Sequence, residues 1–558
     1  MKSTRASGLA VTRVSPVVLV LVSAVVVAFF VHARAWVFLC DDAFISFRYA
    51  RNLAEHGALV FNVVEPPERV EGYTNFAWVI VLAALARLGA EPTAVAPVLT
   101  RMGAFAALVA ITILVAAARR RREPTARRID ALDLVPALLL VASPELMVWA
   151  HGGLETSTAA ALSVAAMAAW MRGRIVWAAA WSAAAGLTRP DALVPVAAFG
   201  VAWLLVNAAP MLWRERAQAV RAVPWRRVAL ATAVFVLPLA AHLVWRRAYY
   251  GSWVPNTFAV KAHGALLRDT HGTAYVQAWA SAVHLVWLAP LLVAVRPRHA
   301  LLLLPAAAVV GYGWSVGGDF MAYGRFFVVA TVLLAGAVGW VLADAVAWLS
   351  RIAPARSKLW RLGALVLGLV AALGLAVQAR ERWTADRAKP TGWLDGKWEG
   401  VTAMHRFARV GVAVGGWMRE HLPPDTLISV GAAGAVPYGS GLPIVDAFGL
   451  VDPHLARMPE LRPQTGKRAR PGHQLFAPPA YIRSRDPDLL CHVGHRGPNR
   501  PPERAAHPAF ARGYRWACIE LDPVPDSTAE GGWLDVGFYC CRRPADRVVG
   551  PFGAEAQP

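Results

Sequence analysis

Long apolar runs alternate with short polar segments from residue 16 to residue 377. Runs of about 20 apolar residues predict helices that cross a bilayer. We therefore expect a polytopic α-helical membrane protein with about eleven transmembrane helices. The expected spans are Pro16–Leu39, Thr93–Ala118, Leu134–Ala150, Leu154–Met171, Ile175–Leu187, Ala192–Leu212, Val228–Tyr249, Tyr275–Val295, Ala300–Val316, Phe326–Leu349 and Leu362–Val377.

The orientation of these spans depends on one further apolar segment, Asn75–Leu88. Counting it as a span would place Arg119–Arg122 outside the cell and reverse every later loop. If the segment is instead an interfacial helix, all later arginine clusters lie on one side of the membrane. Short basic loops belong in the cytoplasm, so that side is the cytoplasmic one. With about 14 residues the segment is also short for a span. We predict that the N-terminus lies inside the cell and the C-terminus outside it.

Composition agrees with this class: 57% of the 558 residues are hydrophobic and only 17% are charged. The formal net charge of +21 could indicate a nucleic-acid partner. However, the arginines cluster between apolar runs, which is where membrane orientation requires them. We expect no nucleic-acid partner.

Hydropathy falls after Val377, and residues 379–558 are polar with many Pro and Gly. A helical pattern over Val401–His421 precedes a β-like run over Thr426–Val430. We predict a transmembrane domain over residues 1–378 and a small α/β domain outside the membrane over residues 379–558.

Four cysteines lie in the C-terminal segment. An oxidising compartment favours two disulfides, and four cysteines allow three pairings. A bond between the adjacent Cys540 and Cys541 is sterically poor, and free buried thiols are the alternative. The four residues are Cys491, Cys518, Cys540 and Cys541.

The polar segments capable of chemistry all fall on the outward face of the predicted topology. They are DDAFISFRYAR, VEGYTNF, HGGLE, TRPD, YYGSWVPNTFAVKAHG and GGDFMAYGRF. An outward-facing active site is the simplest explanation of this segregation.

The first of these segments begins with Asp41 and Asp42. One carboxylate would suffice as a helix cap. A second beside the membrane costs desolvation and repulsion unless a cation, a metal or a proton compensates it. We predict that the pair is catalytic, as general base toward a sugar hydroxyl or as ligands of a divalent cation (Mg, Mn or Ca); no cofactor is certain.

Further candidates come from the other outward segments, where an arginine fork suits phosphate and rings with an amide suit a sugar. Each has a structural alternative, such as an ion pair at a helix end or an aromatic belt at the interface. The phosphate candidates are Arg48, Lys261, Arg325 and Arg189. The substrate candidates are Glu155, Tyr249, Trp253, Asn256, His263 and Asp319.

The sequence contains no P-loop and no zinc-ligand spacing, and GAAGAVPYG does not match the dinucleotide fingerprint. A soluble nucleotide donor therefore has no recognisable site. We expect a donor carried by lipid.

Jointly and in this order, DDAFISFRYARNL, VEGYTNFAWV, HGGLE, TRPDAL, YYGSWVPNTF, GGDFMAYGRFF and VDAFGLVDPHLAR resemble the GT-C membrane glycosyltransferases. The closest subgroup is the terminal β-(1→2)-arabinofuranosyltransferases of mycobacterial cell walls and their bacterial relatives. The resemblance runs from Asp41 to about Arg457.

That resemblance implies a GT-C fold, interfacial helices in the first outer loop and a polyprenyl-phosphate sugar donor. It also implies a catalytic aspartate at the start of that loop, for which Asp41 is favoured over Asp42. Arg325 and Lys261 would contact the lipid phosphate. The acceptor would be a cell-envelope polysaccharide or glycolipid, the sugar could be a pentofuranose such as arabinofuranose, and the C-terminal domain could bind carbohydrate.

Two other function classes stay open. A transporter would show inverted repeats and ionisable residues at mid-membrane, whereas the polar residues here gather at the outer ends of spans. Some relatives are flagellar motor control proteins, so a non-catalytic assembly role is the second alternative. Loss of glycan product on changing Asp41 would separate the enzyme from both.

Overall fold

The computed structural model describes residues 15–121, 129–211, 225–282, 293–389, 393–394, 398–465, 469–495, 513–526, 530–535 and 537–551. Most of them are helical, and a small sheet lies near the C-terminus. The helices are α1 Pro16–Arg34, α2 Asp41–His56, α3 Phe76–Arg87, α4 Pro92–Arg120, α5 Val135–Ala142, α6 Pro144–Val148, α7 Thr156–Met171, α8 Ile175–Thr188, α9 Leu193–Met211, α10 Trp225–Tyr250, α11 Asn256–Lys261, α12 Thr273–Ala282, α13 Ala300–Ser315, α14 Val328–Ile352, α15 Ser357–Arg387, α16 Val401–His421, α17 Ala435–Ser440 and α18 Pro479–Ser484.

Several of these helices are long and apolar enough to cross a membrane, so the chain is a multi-pass membrane protein. Within the described residues six segments meet this condition: Pro16–Arg34, Pro92–Arg120, Pro190–Asn207, Trp225–Tyr250, Arg325–Ile352 and Pro354–Arg387. Shorter apolar helical segments cover Phe76–Arg87, Ala131–Ala142, Thr156–Met171 and Ile175–Thr188.

The helices observed depart from several expected spans, and one expected span lies partly outside the described residues. The run Leu134–Ala150 is broken, because Ser143 is extended and Pro144 begins a new helix; the residue before a proline disfavours helical backbone. The last helix continues past Val377 to Arg387. The part of Tyr275–Val295 after Ala282 lies largely outside the described residues.

Small residues let the membrane helices pack closely. A Cβ on Gly103 of α4 would lie 2.5 Å from Oγ1 of Thr158 on α7. On α14, a Cβ on Gly336 would lie 2.4 Å from Cδ1 of Ile111. Such contacts are typical of helix interfaces in membranes, where backbones approach through Gly, Ala, Ser and Thr.

The two ends of the helical bundle carry different polar groups. Arg51 of α2 pairs with Glu91 at the start of α4. The 29 residues of α4 span about 44 Å and end where Arg119 pairs with Asp133. We call the first end, which also holds Asp41, Glu155, Asp191 and Asp319, the acidic end. The opposite end, with Arg119, Arg298 and Arg361, is the basic end.

The short helix α3 stays at the acidic end. Asn75, just before it, donates to Glu155, and Glu91, shortly after it, accepts from Arg51. Its 12 residues extend only about 18 Å, which is too short for a bilayer core of about 30 Å. Asn75–Leu88 therefore does not cross the bundle, as expected for an interfacial helix.

The larger C-terminal sheet is mixed, with the order β4-β3-β5-β9-β6. Strand β3 is parallel to β4 and β5, while β9 is antiparallel to β5 and β6. Helix α17 connects β3 to β4. The strands are β1 Trp393–Leu394, β2 Trp398–Glu399, β3 Ile428–Val430, β4 Ile444–Asp446, β5 Leu489–His495, β6 Tyr514–Leu521, β7 Val524–Pro525, β8 Trp533–Leu534 and β9 Gly537–Pro544.

Two disulfides join the three strands at one side of this sheet. Cys540 bonds Cys518 on β6, and Cys541 bonds Cys491 on β5. Adjacent residues of a strand point to opposite faces, so the two neighbours in β9 reach different partners. Cys40, in the membrane part, is a free buried thiol.

Candidate active site

The acidic pair begins helix α2 because the preceding residues are anchored to the HGGLE segment. Cys40 N–H donates to the Gly152 carbonyl, and Gly152 N–H donates to the Phe38 carbonyl. Gly153 adopts φ +78°, and a Cβ there would lie 2.8 Å from a Leu39 methyl carbon. A residue with a side chain would therefore push these segments apart.

Asp41 lies against the C-terminal region. Its Oδ1 accepts from the Ala435 N–H at 2.8 Å. A Cβ on Gly434 would lie 2.2 Å from the Asp41 carbonyl oxygen, so this loop makes its close approach only with glycine. The carboxylate thus has a fixed orientation where the two parts of the chain meet.

Asp42 faces a buried arginine from the GGDFMAYGRF segment. Its Oδ2 lies 3.7 Å from Nη1 of Arg325, and its side chain is 22% exposed. Arg325 donates through Nε to Oδ2 of Asp319 at 2.6 Å. Oδ1 of Asp319 also accepts from the Phe320 N–H, which fixes the carboxylate in its own turn. The six-residue spacing of Asp319 and Arg325 therefore produces an ion pair.

A second ion-pair group joins the HGGLE and TRPD segments. Arg189 donates to both Asp191 oxygens at 3.0 and 2.9 Å and to Glu155 at 2.9 Å. Oε2 of Glu155 accepts from the Asn75 amide at 2.7 Å, and Asn75 also donates to the Ser46 hydroxyl. One network therefore connects four separate outward segments.

Phe326 lies between the two groups. The guanidinium carbons of Arg325 and Arg189 lie 5.4 and 5.7 Å from its ring centroid. Both arginines line a cavity of about 30 Å³ with Tyr312. This volume holds a water molecule but no sugar ring. A sugar would have to bind beside this cavity.

Other predicted residues lie outside this network. Arg48 is buried and donates to the carbonyls of Phe61, Pro437 and Leu442, so it ties α2 to the C-terminal region. Asn256 is buried and its amide donates to the carbonyls of Gly449, Leu450 and Asp452. Both side chains hold loops together in this structure.

The remaining candidates are more accessible. The Tyr249 hydroxyl accepts from the Leu59 N–H, and its ring stacks on Trp245. Trp253 is 56% exposed. Lys261 is exposed at the end of α11, and Gly472 lies against its side chain. His263 is half-buried in the following turn.

Sequence reasoning missed His473, which reaches the acidic end from the C-terminal region. Its ring packs edge-on against Phe320 at 4.6 Å and Phe448 at 5.3 Å. Burial lowers the pKa of His473, Asp42 acts in the opposite direction, and Lys261 and Arg470 lower it further. No local pattern marks this residue, because the contact joins positions more than 150 residues apart. Ser46 and Asn75 lay within quoted motifs but were not singled out.

The fit of a divalent cation rests on Asp41 and Asp42. Within the described ranges, no group of three or more His, Cys, Asp and Glu side chains is close enough to hold an ion. Two carboxylates can still hold Mg²⁺ when substrate phosphate and water complete the shell. A cation at Asp41 and Asp42 therefore stays a prediction that requires a phosphate-bearing substrate.

Three comparisons place the chain among known proteins. Residues 401–533 match the family model "Domain of unknown function (DUF8728)". Over 261 residues the chain is 29% identical to the terminal β-(1→2)-arabinofuranosyltransferase of Mycobacterium tuberculosis (strain ATCC 25618 / H37Rv). This match covers 44% of the chain and 36% of the relative, so the chain spans little more than a third of that protein. It confirms the resemblance drawn from the motifs.

Two solved structures are also similar. Both are ArnT from Cupriavidus metallidurans. The apo crystal structure has a TM-score of 0.46 at 16% identity and covers 78% of this chain and 86% of that one. The crystal structure bound to undecaprenyl phosphate has a TM-score of 0.42 at 17% identity, with 77% and 85% covered.

Proposed function

We propose that the chain is a GT-C-type membrane glycosyltransferase. It transfers a sugar from a polyprenyl-phosphate donor to a cell-envelope glycan on the periplasmic face of the bacterial inner membrane. The similarity to a terminal arabinofuranosyltransferase favours a pentofuranose such as arabinofuranose as the sugar. We also propose that this GT-C fold contains about eleven transmembrane helices.

The observation that carries this proposal is the convergence of the outward segments. Asp42, Arg325 and Asp319 form one group, and Glu155 with Arg189 forms the next. Asp42 and Arg325, and likewise Glu155 and Arg189, lie far apart in sequence and would not need to meet if each only ended its own helix. A cluster of carboxylates and guanidinium groups at a membrane surface suits phosphate chemistry.

The geometry divides the roles within the acidic pair. Asp41 is the proposed general base, because the Ala435 N–H fixes its orientation and a base must be held in position toward the proton it accepts. Asp42 with Asp319 positions Arg325. Within the described residues Arg325 donates one hydrogen bond, to Asp319, so its Nη groups can bind an oxygen of the departing phosphate.

The reaction also requires that the negative charge of the leaving phosphate is stabilised. Breaking the bond from the sugar C1 to the phosphate oxygen leaves the polyprenyl phosphate with the bonding electrons. The acceptor oxygen bonds C1 and gives its proton to Asp41. Fixed cationic donors aimed at the phosphate lower the barrier, because negative charge develops there. A divalent cation at the acidic pair would neutralise the same charge.

An apolar cavity suits the lipid part of the donor. It measures about 1340 Å³ and lies among α1, α3, α4, α7 and α8. Thr188, the neighbour of Arg189, lines this cavity, so its wall approaches the ion-pair network. A groove of this size can take several isoprene units.

The test is sugar transfer by purified protein in liposomes. The donor is a radiolabelled polyprenyl-phosphate arabinofuranose, and the acceptor is the envelope glycan of a deletion strain. Asp41→Asn should lower the rate by about 10²- to 10⁴-fold. An asparagine oxygen can still accept the Ala435 N–H, so folding should be kept. Glu55→Gln, an exposed carboxylate of the same helix, is the matched control.

Two results would contradict the proposal. If the wild-type protein leaves the donor intact with every envelope fraction, and the deletion strain has unchanged glycans, the transferase assignment fails. If Asp41→Asn turns over like Glu55→Gln, the assignment of the base fails.

A further inference from the structure

A row of aromatic rings leads from the acidic cluster to the protein surface. Phe320 follows Asp319 directly, and its ring contacts His473 at 4.6 Å between centroids. His473 contacts Phe448 at 5.3 Å, and Phe448 contacts Phe476 at 4.8 Å. We call these four side chains the aromatic track.

Exposure increases along the track. Phe320, His473 and Phe448 are half-buried, while Phe476 is 43% exposed. A ring that only filled the core would be covered, as Phe327 and Phe61 are. Phe476 therefore offers an exposed ring at the surface end of the track, and the residues behind it are only partly covered.

Three of the four rings come from the C-terminal region, and one of them, Phe448, adjoins the loop that Asn256 holds. Asn256 holds the carbonyls of Gly449, Leu450 and Asp452, next to Phe448. A Cβ on Gly472, the neighbour of His473, would lie 3.5 Å from Cε of Lys261. The membrane part thus fixes the position of the track relative to the acidic pair.

The track requires a particular kind of ligand. Aromatic faces with nearby polar and cationic groups bind molecules that have apolar faces and polar edges. A sugar chain has this character, and its end would reach the acidic pair beside Phe320. The lipid donor requires an apolar groove instead, which lies among the membrane helices.

We propose that the aromatic track binds the acceptor saccharide, whose rings lie along Phe476, Phe448 and His473. This inference rests on the proposed function. It assigns a role to part of the segment matched by the family of unknown function. The acceptor would lie at the junction between that segment and the membrane part.

The closing experiment measures acceptor binding and transfer separately. The acceptor is the envelope polysaccharide of the deletion strain, immobilised for binding and soluble for kinetics. Phe476→Ala should raise the acceptor KM about tenfold, leave kcat and the donor KM within twofold, and weaken retention on the immobilised glycan. Phe476→Trp should restore both. Trp533→Ala, which removes another exposed ring of the same region, is the control.

The outcomes separate the two proposals. An unchanged acceptor KM and retention in Phe476→Ala would overturn the track while leaving the transferase intact. An equal loss in Trp533→Ala would mean general surface adsorption and would also overturn it. If the wild-type protein transfers no sugar, the proposed function fails, and the retention assay still decides whether the track binds glycan.

Discussion

The acidic and basic ends of the bundle both bury arginine–carboxylate pairs, but the pairs differ in how completely they are satisfied. At the basic end, Arg119 donates from Nε and Nη2 to both oxygens of Asp133, which also accepts the Asp130 N–H. Asp344 likewise accepts from Arg298 and His299. These groups satisfy one another and hold helices together.

At the acidic end Arg189 is satisfied in the same way by Asp191 and Glu155, but the pairing of Arg325 is looser. Arg325 donates to Asp319 and lies 3.7 Å from Asp42, beyond hydrogen-bond distance. It also lines the cavity of about 30 Å³. A buried ion pair indicates a functional site only when the arginine keeps N–H donors that a ligand can use. A satisfied pair is better explained by packing.

The largest expected effect is the loss of transfer activity on changing Arg325, and it tests the difference between the two ends directly. Arg325→Gln should lower the transfer rate by about 10²- to 10³-fold, because a donor to the phosphate is lost. Arg119→Gln should leave turnover per folded molecule unchanged but destabilise the protein by about 3 kcal/mol, because Asp133 stays buried without its arginine. Transfer rates and thermal unfolding of both purified variants would measure the difference.

The reverse pattern would refute the distinction. An active Arg325→Gln with lowered stability would make Arg325 a structural residue like Arg119. A stable, inactive Arg119→Gln would place function at the basic end.

A smaller effect concerns a buried carboxylate held by backbone rather than by arginine. Asp446 accepts the Phe448 and Val451 N–H groups, and burial raises its pKa to about 6. The folded state keeps this proton at pH values where the unfolded chain has lost it. The free energy of unfolding should therefore fall by up to about 3 kcal/mol as pH rises from about 4 to about 6.

Denaturant unfolding across this pH range, followed by tryptophan fluorescence, would measure the change. Asp446→Asn should remove most of this slope. A slope that persists in Asp446→Asn would assign the titration to another group.

The sequence predicted the local features of the molecule well. Helix α16 spans Val401–His421 as expected, and the outward motifs lie at one end of the bundle. The helix beyond Val377 was missed, because residues outside a bilayer can be helical without being apolar. The break at Pro144 was overlooked within an apolar run.

The partners of the site residues could not be predicted. Asp41 meets Ala435 nearly 400 positions later, and Arg48 meets Pro437. Such contacts depend on how the C-terminal region packs against α2, and no periodicity in either segment encodes that packing. The Asp319–Arg325 and Arg189–Asp191 pairs were close enough in sequence to be foreseen.

The central claim is that the acidic end faces the periplasm. Cysteine labelling tests it most directly, since Cys40 is buried and the other four cysteines form disulfides. Glu55→Cys lies exposed at the acidic end and Ala355→Cys at the basic end. A membrane-impermeant maleimide should label Glu55→Cys in intact spheroplasts and Ala355→Cys only after permeabilisation. Labelling in the opposite order would contradict the account.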